Sequence, residues 1–231
     1  MALTGDNYVT IQTTYSMYTN KSTFSSRKRQ IYPSRTKLVT ALALGLILAL
    51  GGCEDGFWES RAIRPFSIEN DTTISLNGVI DSNTLEAFNE VLRQNPNTVW
   101  LVFHDAPGSE DDETNLQVGR RLYELGMHTR VAANGSIASG AVDLFLAGDL
   151  RQLGSNAQVG VHSWSTGQQE ATDFPRDSEE HEPYIQYYQE IGMDSLLAHE
   201  FYFFTIEAAP AADIHWMTPQ EILTYEIENP Q

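Results

Sequence analysis

Two hydrophobic periods alternate along most of the chain. Residues 73–80, Thr-Ile-Ser-Leu-Asn-Gly-Val-Ile, read as a strand, and Ser82 can cap a following helix whose apolar residues Leu85, Phe88, Val91 and Leu92 share one face. Residues 98–103 form a near-continuous apolar run, the pattern of a strand covered on both faces. The same reading predicts a helix over about 113–125 ending at Gly126, a strand over 128–133, an apolar helix over 138–147 ending at Gly148, and a strand over 158–162. Such alternation implies an α/β fold: a mainly parallel sheet with right-handed βαβ crossovers, and any active site at the carboxyl ends of its strands. Residues 165–182 are polar and irregular, an insert beside that site. C-terminal helices follow over 183–191 and 194–205, broken at Gly192, and Thr218-Pro219-Gln220-Glu221 opens a closing helix with a capping box and Pro at its first position.

Composition narrows the class. With 231 residues, 41% of them hydrophobic, and 4 Trp, 10 Tyr and 10 Phe, the chain can bury a core, which excludes wholesale disorder. Its 14 Lys+Arg stand against 31 Asp+Glu, a formal net charge of −17, and no basic patch follows the first 40 residues, so nucleic acid is not an expected partner. No internal repeat is present.

The start of the chain is different in kind. Residues 38–52 are uncharged and apolar, follow the basic cluster Arg27, Lys28, Arg29, Arg35 and Lys37, and end at Cys53, the layout of a signal peptide. The run is shorter than the ~20 residues a membrane-spanning helix needs. Leu50-Gly51-Gly52-Cys53 resembles the bacterial lipobox, which implies lipidation of Cys53 as the first mature residue. The expected organisation is a lipoprotein-type signal peptide over 1–52, a lipidated N-terminus and tether over 53–72, and a folded domain over 73–231, with Met1 or Met17 as the start. The resemblance implies a bacterial cell-envelope protein, lipid-anchored to a membrane on its periplasmic face; Glu54 and Asp55 fit inner-membrane retention. The lone cysteine allows no intrachain disulfide, so packing alone must hold the fold.

Candidate chemistry converges on three loops: residues 105–109 after the second strand, residues 135–140 at the start of the apolar helix, and His162 at the end of the fourth strand. A Ser at a helix N-terminus among small residues, here Ser139, is exposed for attack and stands where backbone N–H groups favour a developing oxyanion, and a His from an adjacent strand can take its proton. On position alone a helix cap is the commoner role for a Ser such as Ser139. Ser136 is a competing hydroxyl one turn earlier. His104-Asp105 lacks a second ligand pair, so no metal site or cofactor is expected. His181, His199 and His215 read as surface or packing residues, Asp111, Asp112 and Glu113 as a solvated helix start, and the aromatics at 184–188 and 201–204 as core or subunit interface.

Gly135-Ser136-Ile137-Ala138-Ser139-Gly140, continuing through the apolar residues 141–146 to Ala147-Gly148, resembles the nucleophile segment of the Clp protease proteolytic subunit. His162 in Val159-Gly160-Val161-His162 falls where that family's His ends a strand, and Asp213 precedes the Pro219 helix start as that family's acidic residue does. Residues 187–194 and 214–219 look like a group of bacterial periplasmic Clp-protease-like proteins. The resemblance implies a Clp/crotonase-type fold and a Ser139–His162–Asp213 triad, with an oxyanion hole from the backbone N–H groups of Gly140, Ser109 and Gly108. It implies a serine peptidase acting on short or unfolded peptides, possible as a homo-oligomer. The family's Pro-Gly-Gly run is Pro107-Gly108-Ser109 here, which leaves open a catalytically inactive binding or scaffolding lipoprotein. Thioester chemistry of the crotonase kind would need a coenzyme A pocket, for which the acidic chain offers little basic surface.

Overall fold

The computed structural model describes residues 63–229. Strands β1 (Phe66–Asn70) and β2 (Thr73–Leu76) lead into helix α1 (Thr84–Gln94), β3 (Trp100–Ala106), α2 (Asp112–Glu124), β4 (His128–Ala138), α3 (Gly140–Leu146), β5 (Arg151–Leu153) and β6 (Gln158–Val161). Helices α4 (Glu182–Glu190) and α5 (Ser195–Ala208), strand β7 (His215–Trp216) and helix α6 (Pro219–Thr224) complete the order. The sheet runs β1-β2-β3-β4-β6-β7, with β5 also paired to β4. Its inner pairs β2–β3, β3–β4, β4–β5 and β4–β6 are parallel, and the edge pairs β1–β2 and β6–β7 are antiparallel. The mainly parallel α/β architecture with C-terminal helices is thus present.

The apolar run of β3 is covered on both faces: Leu101, Val102 and Phe103 are all buried. In α1 the buried residues Thr84, Ala87, Phe88 and Val91 form one stripe. Its start is not built on Ser82. Instead Asp81 and Thr84 exchange hydrogen bonds, the Asp81 N–H donating to Thr84 Oγ1 at 2.8 Å and the Thr84 hydroxyl donating to Asp81 Oδ1 at 3.2 Å. The N-cap position falls on Asn83, one residue after Ser82; the Asn83 side chain makes no capping bond, while the Asn83 N–H donates to Asp81 Oδ1 at 2.9 Å, so the acidic side chain organises the turn before the helix.

The tether expected over 53–72 enters the sheet at Phe66. That residue is 1% exposed and its ring lies 5.4 Å from Phe88, while the other four residues of β1 are exposed. A single buried anchor on an edge strand leaves no alternation to read. The apolar run, Cys53 and the lipobox-like residues lie outside the described residues. Among the described residues no helix is long and apolar enough to cross a membrane.

Strand β4 is the pivot of the sheet. Its first half pairs with β5 at Thr129–Val131 and its second half with β6 at Ser136–Ala138. Against β3 the register breaks between these halves: β3 advances only from Phe103 to Asp105 while β4 advances from Val131 to Ser136. The slack is taken up at Asn134, whose φ is 58°, and the bend carries the strand end toward β6. Ser136 is occupied there, its hydroxyl donating to Asp105 Oδ1 at 2.6 Å, which removes it as a free nucleophile.

Helix α3, apolar but for Asp143, leaves directly from the end of β4 and buries Ala141, Val142, Leu144, Phe145 and Leu146. Helices α2 and α4 pack beside it. A Cβ on Gly119 of α2 would stand 2.8 Å from Tyr187 Cζ, so the two helices approach at the limit of contact.

Candidate active site

The β4–α3 junction places Ser139 at φ 53°, ψ −135°, a conformation that non-glycine residues rarely adopt and that persists only where its surroundings hold it. The holding contacts are visible: the Ser139 N–H donates to the Gly160 carbonyl at 3.0 Å, and the Ser139 carbonyl accepts from Val142 N–H at 2.8 Å. Although Ser139 occupies the N-cap position, its hydroxyl makes no capping hydrogen bond, and no other described residue partners it. Its Oγ is therefore free for chemistry in a wall of a cavity shared with Gly140 and His162.

His162 leaves β6 at the neighbouring position. Its Nδ1 lies 2.7 Å from the Ser163 carbonyl oxygen. A carbonyl only accepts, so Nδ1 carries the proton and Nε2 of the neutral ring keeps its lone pair, the tautomer a general base needs. No hydrogen bond joins Nε2 to Ser139 Oγ, although both residues line the same cavity. Catalytic hydrogen bonds often tighten only when substrate is bound.

Asp213 is not brought to His162. The antiparallel register of β6 and β7 pairs Val161 with His215, so Asp213 lies just beyond the strand in line with His162 and Ser163. Its side chain is turned to its own backbone, Oδ1 accepting from Ile214 N–H at 2.8 Å, and it is exposed. The physical reason is local: the adjacent N–H satisfies the carboxylate, and the Ser163 carbonyl already occupies His162 Nδ1.

The loop after β3 meets Ser139 from the other side. Ile80 N–H donates to the Gly108 carbonyl at 3.0 Å and Glu110 N–H donates to the Ile80 carbonyl at 2.8 Å. In a parallel bridge of this kind the residue between, Ser109, turns its own N–H to the opposite side, away from Ile80. The left-handed backbone angle falls on Gly108, at φ 134°, whereas Ser109 is not among the positive-φ residues. The Ser in place of a second Gly is therefore accommodated without strain. The Gly140 carbonyl accepts from Asn115 Nδ2 at 2.8 Å, and Asn115 is 1% exposed, so a buried amide pins the first turn of α3. Nothing in the polar surroundings of Asn115 in the sequence marked it for that role.

Asp112, expected at a solvated helix start, Asp143, which had no assigned role, and a set of rings expected as core or interface also line the cavity. Asp111, not Asp112, caps α2, its Oδ1 accepting from Thr114 N–H at 3.0 Å. Asp112 stays exposed at the cavity rim: its Oδ1 accepts from the Ser109 hydroxyl and its Oδ2 from the Tyr184 hydroxyl, the latter at 2.7 Å. Asp143, the one acidic residue in α3, accepts from the Tyr188 hydroxyl at 2.6 Å. Burial pushes the Asp143 carboxyl up to about 7 and the nearby Asp112 charge adds to the rise, while the Tyr188 hydroxyl opposes it. A lone charge in an apolar helix was the signal in the sequence. Among the described residues no group of His, Cys, Asp or Glu is arranged to hold a metal ion.

No family model and no curated protein matches the sequence. Solved structures do. The chain is similar to Clp-type proteases and to crotonase-fold enzymes. A 1510-N membrane protease specific for a stomatin homolog, from Pyrococcus horikoshii, matches at 17% identity over 68% of this chain and 70% of that chain, with a TM-score of 0.43. ClpP1 from Listeria monocytogenes matches at 16% identity over 69% of this chain and 89% of that chain, with a TM-score of 0.45. An enoyl-CoA hydratase from Shewanella pealeana matches at 10% identity over 77% of this chain and 71% of that chain, with a TM-score of 0.40. Similarity at this level assigns chemistry to no residue of this chain.

Proposed function

We propose that the chain is a serine hydrolase that cleaves short or unfolded peptides, with Ser139 as nucleophile and His162 as its general base. The observation that carries this is the unused Ser139 hydroxyl, held at a strained strand-to-helix turn and facing the same cavity as the unprotonated nitrogen of His162.

The steps follow from the positions. His162 Nε2 takes the Oγ proton as Oγ attacks the scissile carbonyl carbon. The Gly140 and Ser109 N–H groups, with that of Gly108 beside them, receive the oxyanion, each such donor contributing about 3 kcal/mol to the transition state. His162 then returns the proton to the leaving amine, and water repeats the sequence on the acyl-enzyme. The Ser163 carbonyl holds the ring in the working tautomer, the part Asp213 was expected to play.

The lipobox-like Leu50-Gly51-Gly52-Cys53 supports a place on the periplasmic face of a bacterial membrane, anchored through lipid at Cys53, with folded proteins not fed to the site. A second copy of the chain as partner is compatible with this reading.

The absence of a Ser139–His162 hydrogen bond favours a second reading, a binding or scaffolding module that kept the fold. Labelling of the full chain by a fluorophosphonate probe decides between them. Labelling that is lost in both Ser139→Ala and His162→Ala supports the hydrolase; a folded wild-type chain that does not label supports the binding module.

A further inference from the structure

The cavity beneath Ser139 has a chemical character of its own. Its walls are aromatic: Trp164 and Tyr184 stack with centroids 6.2 Å apart and 15° between planes, and Tyr184 and Tyr202 at 5.6 Å and 20°. These walls are fixed in place. The Tyr202 hydroxyl accepts from Trp164 Nε1 at 2.9 Å and meets Nδ1 of the buried His181 at 2.7 Å, and since His181 Nε2 faces the Pro175 carbonyl, Tyr202 is the donor to Nδ1.

Into this aromatic chamber project two carboxylates and no Lys or Arg among the described residues. Asp112 has both oxygens engaged by hydroxyls, whereas Asp143 takes one hydrogen bond, from Tyr188, and its second oxygen has no partner. Asp143 stands one turn of α3 beyond Ser139, a helical pitch of about 5.4 Å. The open space is small, about 40 Å³, room for roughly three water molecules. That suits the end of a slender side chain.

We propose that this cavity binds the ammonium group of a lysine side chain, the one belonging to the residue whose carbonyl Ser139 attacks. The identity of the attacked bond rests on the hydrolase proposal; the binding of the cation does not. A carboxylate with a free oxygen, set among aromatic rings, offers a cation a charge-assisted hydrogen bond. The guest supplies the countercharge that Asp112 and Asp143 lack. Held partly protonated by burial, Asp143 loses its proton to solvent when a cation arrives beside it, so binding near neutral pH releases protons.

Two measurements on the full chain test the proposal separately from the hydrolase reading. The first compares blocked peptide aminocoumarins that differ only in a Lys, norleucine or Glu before the scissile bond. The expected result is a kcat/KM ratio of Lys to norleucine of at least tenfold, falling toward one in Asp143→Asn, with Glu the poorest. The second is calorimetric titration of Ser139→Ala with n-butylammonium, in buffers of different ionisation enthalpy. Proton release should appear as buffer-dependent heat, and Asp143→Asn in the same background should weaken binding at least tenfold and abolish that dependence. Thermal melts show whether Asp143→Asn folds, and Asp112→Asn, at an exposed residue, is the second variant, expected to weaken binding in the same direction. A chain that labels with fluorophosphonate but prefers norleucine or Glu overturns the lysine proposal and leaves the hydrolase intact. A chain that does not label but binds butylammonium with proton release keeps the cation site and loses the hydrolase. No binding at millimolar butylammonium, together with no Lys preference, overturns the proposal.

Discussion

A Cβ placed on Gly108 would stand 2.7 Å from the Cβ of Ser139, closer than side-chain atoms approach in folded proteins. The two residues come from different loops, so this contact clamps the β3–α2 loop against the strand-to-helix turn that strains Ser139. Gly108→Ala meets both the clash and a φ of 134°, which only glycine adopts at low cost. The expected outcome is destabilisation of about 1–3 kcal/mol and loss of fluorophosphonate labelling by more than tenfold, while Ser109→Gly labels within a few-fold of wild type. Equal effects of the two substitutions would show that the backbone angle at Gly108 is not what shapes the site.

Asp213→Asn separates a triad from a two-residue engine. Where an acid holds the tautomer of a catalytic His, removing its charge costs about 10⁴ in rate. Here His162 Nδ1 is held by the Ser163 carbonyl, and Asp213 faces Ile214 N–H. The labelling rate of Asp213→Asn should therefore stay within about tenfold of wild type, whereas His162→Ala abolishes labelling. A loss of three or more decades in Asp213→Asn would mean that the carboxylate swings onto His162 when the site is occupied.

The elements that carry strong periods were legible in the sequence, and those held by one contact were not. Residues 98–103 announce β3 because both faces are buried, and Thr218-Pro219-Gln220-Glu221 announces α6 because its capping box forms as written, Glu221 N–H donating to Thr218 Oγ1 at 3.3 Å and Thr218 N–H to Glu221 Oε2 at 2.7 Å. Strand β1 escapes because Phe66 alone anchors it, and β7 because two residues on an edge define no period. At the site, Ser139, Gly140 and His162 share one cavity, as their segments suggested. Asp112 and Asp143 were hidden, since a carboxylate at a helix start, or alone in an otherwise apolar helix, is recognised only when the α4 hydroxyls of Tyr184 and Tyr188 reach it.

The raised Asp143 carboxyl makes stability depend on pH with a definite sign. Its value climbs from 3.8 to about 7 in the folded chain, chiefly through burial, so between these limits the folded state holds a proton that the unfolded state has lost. Stability from this group is complete below about pH 4 and declines as pH rises toward 7, with a slope of up to ~1.4 kcal/mol per pH unit. Melting temperatures of wild type and Asp143→Asn measured from pH 4 to 8 should therefore converge toward pH 4, separate progressively between about pH 4 and 7 and keep a constant gap above that, the variant being relatively more stable there. Parallel curves across the window would show that Asp143 does not titrate in it.

The approach of α2 to α4 is the last relation with a measurable consequence. The Tyr187 hydroxyl donates to the Asp143 carbonyl at 2.8 Å and passes over Gly119, where a Cβ would overlap its Oη and stand 2.8 Å from Cζ. Tyr187 is fully buried, so it has no solvent-side rotamer to retreat into. Gly119→Ala gains helix propensity worth about 1 kcal/mol, yet the clash displaces a core ring and breaks its hydrogen bond, and overpacking of this kind costs ~1–3 kcal/mol. The net effect should be a lower melting temperature, and because Tyr187 holds the α3 backbone at Asp143, labelling of Ser139 should slow as well. A melting temperature at or above wild type would show that α4 slides away from α2 freely, and that the cavity wall it carries is mobile rather than fixed.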